Sequence, residues 1–171
     1  MNEALAKIWN AFERLLKFVV YKILRLQLSD KLWAGLMQFV KFGIVGLTNT
    51  IIGYLIYVVT LKGLRAVNLF ATVDIYVAQL VMFLLSVAWS FFWNNTMVFK
   101  QEEGEERNIL AALIKTYVSY ALTGLFLAEA LLMLWVNVFG INEYVAPIIN
   151  LIITVPLNFI IQKHWAFRRE E

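Results

Sequence analysis

The side chains able to do chemistry are polar residues set inside long apolar runs: Asn49 and Thr50, Ser86 and Ser90, Glu129, and Asn150, Thr154 and Asn158. Asn150, Thr154 and Asn158 recur every fourth residue, so they share one helix face and can line a common groove. Such groups either form a polar path for a ligand or hold membrane helices together, at about 0.6 kcal/mol per bond. Ser86, Thr154 and Thr50 read as glue, and Asn49 and Asn158 as pathway residues. Glu129 has no Lys or Arg at matching depth, so it must protonate or gather several donors. It suits ligand hydroxyls or proton coupling, or is a protonated acid bonded to a neighbouring helix. Lys41, Lys100, Lys115, Lys163 and Arg168 lie at the ends of the apolar runs. There they could collect a phosphate or anchor headgroups and set topology. Catalytic chemistry finds no support. Cysteine is absent, His164 is the lone histidine, and there is no phosphate-binding or dinucleotide loop and no acidic pair at metal-ligand spacing. No enzyme, cofactor or metal is expected, and any energy input must come from a gradient or from consumption of a product.

These residues need elements that cross a membrane. The 171 residues are 61% hydrophobic and 16% charged, against roughly 25% charged in soluble domains, and the mean hydropathy is +0.71. Uncharged or nearly uncharged runs cover Phe42 to Leu61, Ile75 to Phe99, Thr116 to Asn142 and Tyr144 to Gln162. About 20 apolar residues suffice for one crossing, so four spanning helices are predicted. Only Lys62 and Arg65 fall on the face opposite the termini. The positive-inside rule therefore places both termini in the cytoplasm, in a multi-pass protein of the inner membrane. The net charge of +3 gives no indication of a nucleic-acid partner.

Before the first span, Met1 to Gln27 repeats apolar residues at helical spacing with Lys7, Arg14, Lys17 and Arg25 interleaved. This is an amphipathic helix, suited to the anionic leaflet or to packing on the bundle or a neighbouring subunit. The spans repeat. Tyr76-Val-Ala returns as Tyr144-Val-Ala, and the same offset of 68 pairs Val87 with Val155, Phe91 with Phe159 and Phe99 with Phe167. Upstream an offset of 78 pairs Gly46 with Gly124. The predicted fold is thus an all-α membrane protein whose four transmembrane helices form two tandem parallel helical-hairpin repeats behind an N-terminal amphipathic interfacial helix. Residues 1–35 hold that helix and a linker, 36–100 the first hairpin, 101–112 a charged loop, 113–168 the second hairpin and 169–171 a tail. Gly43, Gly46, Thr50, Gly53 and Tyr57 form a small-residue stripe, read as a close helix–helix contact. Pro156 should kink the last helix.

At these residues the sequence resembles the GtrA-like family of small four-helix membrane proteins. Its opening pattern is met by Phe42, Val45, Gly46, Asn49 and Thr50. Its closing pattern occurs twice, as Ser90-Phe-Phe-Trp-Asn-Asn-Thr-Met-Val-Phe99 and as Asn158-Phe-Ile-Ile-Gln-Lys-His-Trp-Ala-Phe167. Departures fall at Ser90, Asn95, Met97, Gln162 and Ala166. The resemblance covers about 38 to 168 and implies a flippase for polyprenyl-phosphate-linked monosaccharides, serving a cell-surface polymer beside a membrane glycosyltransferase. On that reading Asn49, Thr50, Ser90, Asn94, Glu129, Asn150 and Asn158 line the sugar path. Lys163, in the basic position of the pattern, leads Arg168, Lys100, Lys41 and Lys115 in meeting the phosphate. Two alternatives stay open: a non-transporting scaffold for a glycosyltransferase and a small proton-coupled exporter. The small cavity of four helices suggests a homo-oligomer in contact with membrane lipids.

Overall fold

The computed structural model describes residues 3–101, 107–142 and 144–168, and all regular structure among them is helical. Helix α1 runs Glu3–Lys17. Four helices long and apolar enough to cross a membrane follow: α2 Asp30–Ala66, α3 Asp74–Val98, α4 Ile109–Val138 and α5 Ala146–Ala166. The multi-pass helical class read from the apolar runs is thus the architecture observed. The helices overrun the uncharged stretches. Helix α2 starts at Asp30, not near Phe42, because a helix need not stop where the hydrocarbon stops and Lys31 and Lys41 can extend along its surface.

Local chemistry sets the ends. The Asn108 side chain caps α4 by accepting from Ala111 N at 3.0 Å, and Pro147 sits in the first turn of α5, where its missing N–H costs nothing. Between α2 and α3 the chain turns through Asn68 and Phe70, both at left-handed φ of 52° and 57°.

The chain divides into two compact units, Met1–Met37 and Gln38–Glu171. In the first, Glu13 is the hub. Its carboxylate accepts from Trp33 Nε1 at 3.3 Å and lies 3.1 Å from Lys17 Nζ. Lys17 stands 5.4 Å from the Trp33 ring, whose other neighbour is Tyr21 at 5.6 Å. The helix expected over Met1 to Gln27 ends earlier, at Ile23. A π-turn at Phe18–Ile23 follows α1, and Arg25 takes a left-handed φ of 54°, so the chain leaves the helix before α2.

In the second unit α3, α4 and α5 pack together. Their core is aromatic and lies at the end that carries the loop from α3 to α4: Phe42, Phe91, Phe99 and Phe167 are buried with Val45, Val98, Ala112 and Ala166. Phe99 and Phe167 stack at 4.6 Å, and Phe42 joins through Phe159 at 5.4 Å. Leucines and isoleucines such as Leu47, Ile51, Leu80, Leu122 and Ile152 are exposed, as a surface facing lipid requires.

Residues at the offset of 68 share local structure. Asn94–Val98 and Gln162–Ala166 both form a π-turn at the end of their helix. Each closes with a matching bond, Phe99 N to Asn94 O at 2.7 Å and Phe167 N to Gln162 O at 2.8 Å. The hairpins also differ. Helix α2 is regular, whereas α4 is interrupted by π-segments at Ala121–Leu127 and Leu134–Val138.

Candidate functional site

The polar residues expected to share one groove are dispersed, most of them between two places. The first lies where α2 and α3 approach. A Cβ on Gly53 would stand 3.5 Å from Ser86 Cβ and 3.6 Å from Met82 Cγ, ordinary contact distances that mark where the two helices meet. Around this contact opens a cleft of about 450 Å³ lined by Asn49, Thr50, Gly53, Tyr54, Tyr57, Gln79, Met82 and Ser86. No lining side chain is charged. Asn49 Oδ1 is buried without a hydrogen-bond partner among the described residues, which leaves an acceptor for a guest to satisfy.

The hydroxyls read as interhelical glue, on Thr50 and Ser86 here and Thr154 on α5, bond within their own helices among the described residues. Thr50 Oγ1 donates to Gly46 O at 3.1 Å, Ser86 Oγ to Phe83 O at 3.3 Å and Thr154 Oγ1 to Asn150 O at 2.8 Å. Each bonds back to its own helix, the usual recourse of a helical Ser or Thr. Nor does the small-residue stripe pack along its length. Of its glycines, Gly53 meets a neighbour, whereas a Cβ on Gly43 or Gly46 would have nothing within 4 Å among the described residues.

The second place is a buried polar ladder between α3, α4 and α5. Ser90 Oγ and Tyr120 OH are 2.7 Å apart, and Asn94 Nδ2 donates to Ser90 Oγ at 3.2 Å and to Gln162 Oε1 at 3.4 Å. Gln162 Nε2 in turn donates to Asn158 Oδ1 at 3.2 Å. Ser90, Asn94 and Gln162 have no exposed surface. Arg107 closes the nearby end: Nη1 donates to Asn95 Oδ1 at 2.8 Å and Phe99 O at 2.9 Å, and Nη2 to Phe167 O at 3.3 Å. One guanidinium fork therefore ties together the last turns of α3 and α5.

The remaining expected residues lie elsewhere. Asn150 accepts from Trp135 Nε1 at 2.9 Å and donates to Ala128 O at 2.7 Å, so it is a strut between α5 and α4. Glu129 is exposed on α4 and does not line the cleft. Lys163 Nζ stands 5.6 Å from the Phe159 ring; Lys41 and Lys115 are half-buried, and Lys100 and Arg168 exposed. Gln79, Tyr54, Tyr57, Tyr120 and Arg107 were not singled out as ligand or network residues by sequence reasoning. Gln162 carried a usable signal, since the offset of 68 pairs it with Asn94.

No curated protein and no solved structure matches this chain. A family model described as GtrA/DPMS, transmembrane domain, matches residues 41–167, a stretch that holds the cleft, the ladder and all but the first turns of α2. The chain therefore belongs to the GtrA/DPMS transmembrane-domain family.

Proposed function

We propose that this protein translocates a polyprenyl-phosphate-linked monosaccharide across the inner membrane, for use in a cell-surface polymer. The observation that carries the reading is the uncharged cleft between α2 and α3 with its unpaired Asn49 oxygen. A sugar hydroxyl left unpaired in hydrocarbon costs several kcal/mol. Asn49, Gln79 and the two tyrosines offer hydroxyl-matching groups at a depth where lipid offers none. At about 450 Å³ the cleft lies in the lower half of the usual ligand-pocket range of roughly 300–1,000 Å³, which suits one sugar ring while the prenyl chain stays in the bilayer. Lys163, Lys41, Lys100, Lys115 and Arg168 would gather the phosphate at the cytoplasmic mouth, and Glu129 would couple a proton. The Asn94 ladder holds the helices that move. A membrane glycosyltransferase would consume the lipid-linked sugar, and both termini would face the cytoplasm.

The test is translocation of a synthetic polyprenyl-phosphate monosaccharide in proteoliposomes, scored by access to an external sugar-modifying reagent. Asn49→Ala should slow it about tenfold, the worth of one good hydrogen bond in a barrier, without loss of fold because Asn49 Oδ1 has no hydrogen-bond partner among the described residues. Folded, inserted protein that gives no flipping would overturn the proposal. A second reading, a scaffold for the glycosyltransferase, is favoured by one feature. The unit Met1–Met37 lies outside the family match and exposes Leu15, Phe18, Ile23 and Leu32, a face a partner could cover.

A further inference from the structure

A phosphate that crosses a membrane needs a cation where it leaves as well as where it enters. Between Phe42 and Phe99 the sequence has only Lys62 and Arg65, and the α4–α5 connection has none. Arg65 stands at the wall of a second pocket, of about 290 Å³, formed where α2 gives way to α3 and lined by Leu64, Arg65, Asn68, Leu69, Ala71 and Asp74. Its Nε donates to Asp74 Oδ2 at 2.6 Å. Among the described residues the paired Nη groups, the edge that grips phosphate oxygens, make no hydrogen bond. The Arg65 side chain is 58% exposed and that of Asp74 only 11%. Asp74 is anchored from behind, because its Oδ1 accepts from Ile75 N at 2.8 Å. The carboxylate is thus fixed and the guanidinium faces outward.

We infer that Arg65 is the phosphate receptor at the end of the bundle opposite the termini, taking the phosphodiester of the lipid-linked sugar as it leaves the cleft. The inference rests on the proposed function. Its geometry is that of one helix: Tyr57, in the cleft wall, precedes Arg65 by about 12 Å of α2. A sugar moving past Tyr57 and Gln79 brings its phosphate towards the guanidinium. The ligand is a monoanion, so one Arg suffices. Asp74 keeps the empty site neutral and competes for the same cation, which weakens the grip and lets the lipid depart. An uncompensated Arg would hold it.

The experiment uses full-length protein in zwitterionic nanodiscs. Binding is measured for a short-chain polyprenyl-phosphate monosaccharide, for the same prenyl glycoside without phosphate, for phosphatidylglycerol and for inorganic phosphate. Wild-type protein should prefer the phosphorylated sugar lipid over the neutral glycoside by about tenfold, the scale of a charge-assisted contact. Arg65→Gln should abolish that preference and leave neutral-glycoside affinity unchanged. Asp74→Asn, which breaks the same ion pair, should instead tighten binding of the phosphorylated lipid several-fold, and this separates a phosphate contact from loop integrity. If Arg65→Gln keeps the preference, or if Asp74→Asn loses it to the same degree, the receptor assignment is wrong while the sugar cleft stands. Equal, Arg65-dependent binding of phosphatidylglycerol or inorganic phosphate would make the site a general anion site and overturn the lipid-linked ligand. If no sugar lipid binds at all, the flippase reading falls with it.

Discussion

Gln162→Ala tests whether the buried ladder holds the three packed helices together. Gln162 is wholly buried; it donates to Asn158 Oδ1 at 3.2 Å and accepts from Asn94 Nδ2 at 3.4 Å. Removing it deletes two interhelical or intrahelical bonds, worth about 0.6 kcal/mol each among membrane helices. It also opens a void larger than a methyl group, which costs roughly 1 kcal/mol. The expected loss is about 2 kcal/mol. Gln162→Met keeps most of the volume and should lose only the polar part, about 1 kcal/mol. Reversible unfolding in mixed micelles titrated with a denaturing detergent, followed by tryptophan fluorescence, measures both. A change below about 0.5 kcal/mol for Gln162→Ala would refute the reasoning, because it would mean the ladder is formed but carries no stability.

Two further variants address separate parts. Arg107→Lys replaces a fork by a point charge that cannot reach Asn95 Oδ1, Phe99 O and Phe167 O together, so the same titration should show a loss of about 1–2 kcal/mol; unchanged stability would dismiss the clamp. Gly53→Ala places a Cβ at ordinary contact distance from Ser86 and should be tolerated, whereas Gly53→Leu fills the cleft and should cut flipping at least about tenfold while the protein stays folded. Normal flipping by the leucine variant would remove the cleft from the path.

The spans were legible because hydrocarbon imposes one demand on sequence, a long apolar run with little or no charge; three runs carry none and the fourth only Glu129. Asn49 was legible as a cleft residue for a related reason, being polar inside such a run. The division of the other polar residues was not. Periodicity gives the face a residue occupies and leaves open what stands opposite: Asn150 and Asn158 share a face of α5, yet one meets Trp135 and the other Gln162. Thr50, Ser86 and Thr154 looked like glue, but a hydroxyl can always turn to its own helix, and composition does not record that choice. Arg107 carried no signal beyond its charge, since its role depends on two chain ends that meet only in three dimensions.

Those two helix ends bear on the proposed duplication of the hairpin. A residue touches its own copy only near an axis that relates the copies, and two such pairs meet here: Asn94 with Gln162 at 3.4 Å and Phe99 with Phe167 at 4.6 Å. Arg107 then bonds the carbonyls of that same aromatic pair. Inverted copies would bring equivalent residues to opposite faces of the bilayer, so we propose parallel hairpins with an axis along the membrane normal as the origin of these contacts. If that axis passes between Asn94 and Gln162, exchanging the two side chains is nearly a symmetry operation. Asn94→Gln and Gln162→Asn should each destabilise alone, one by crowding and the other by leaving a gap. Combined, they should recover most of the loss, with a coupling of about 1 kcal/mol between residues in contact. Additive losses in the double variant would show that the two sites are not equivalent, and the contact between them would then be a coincidence of packing rather than a trace of the repeat.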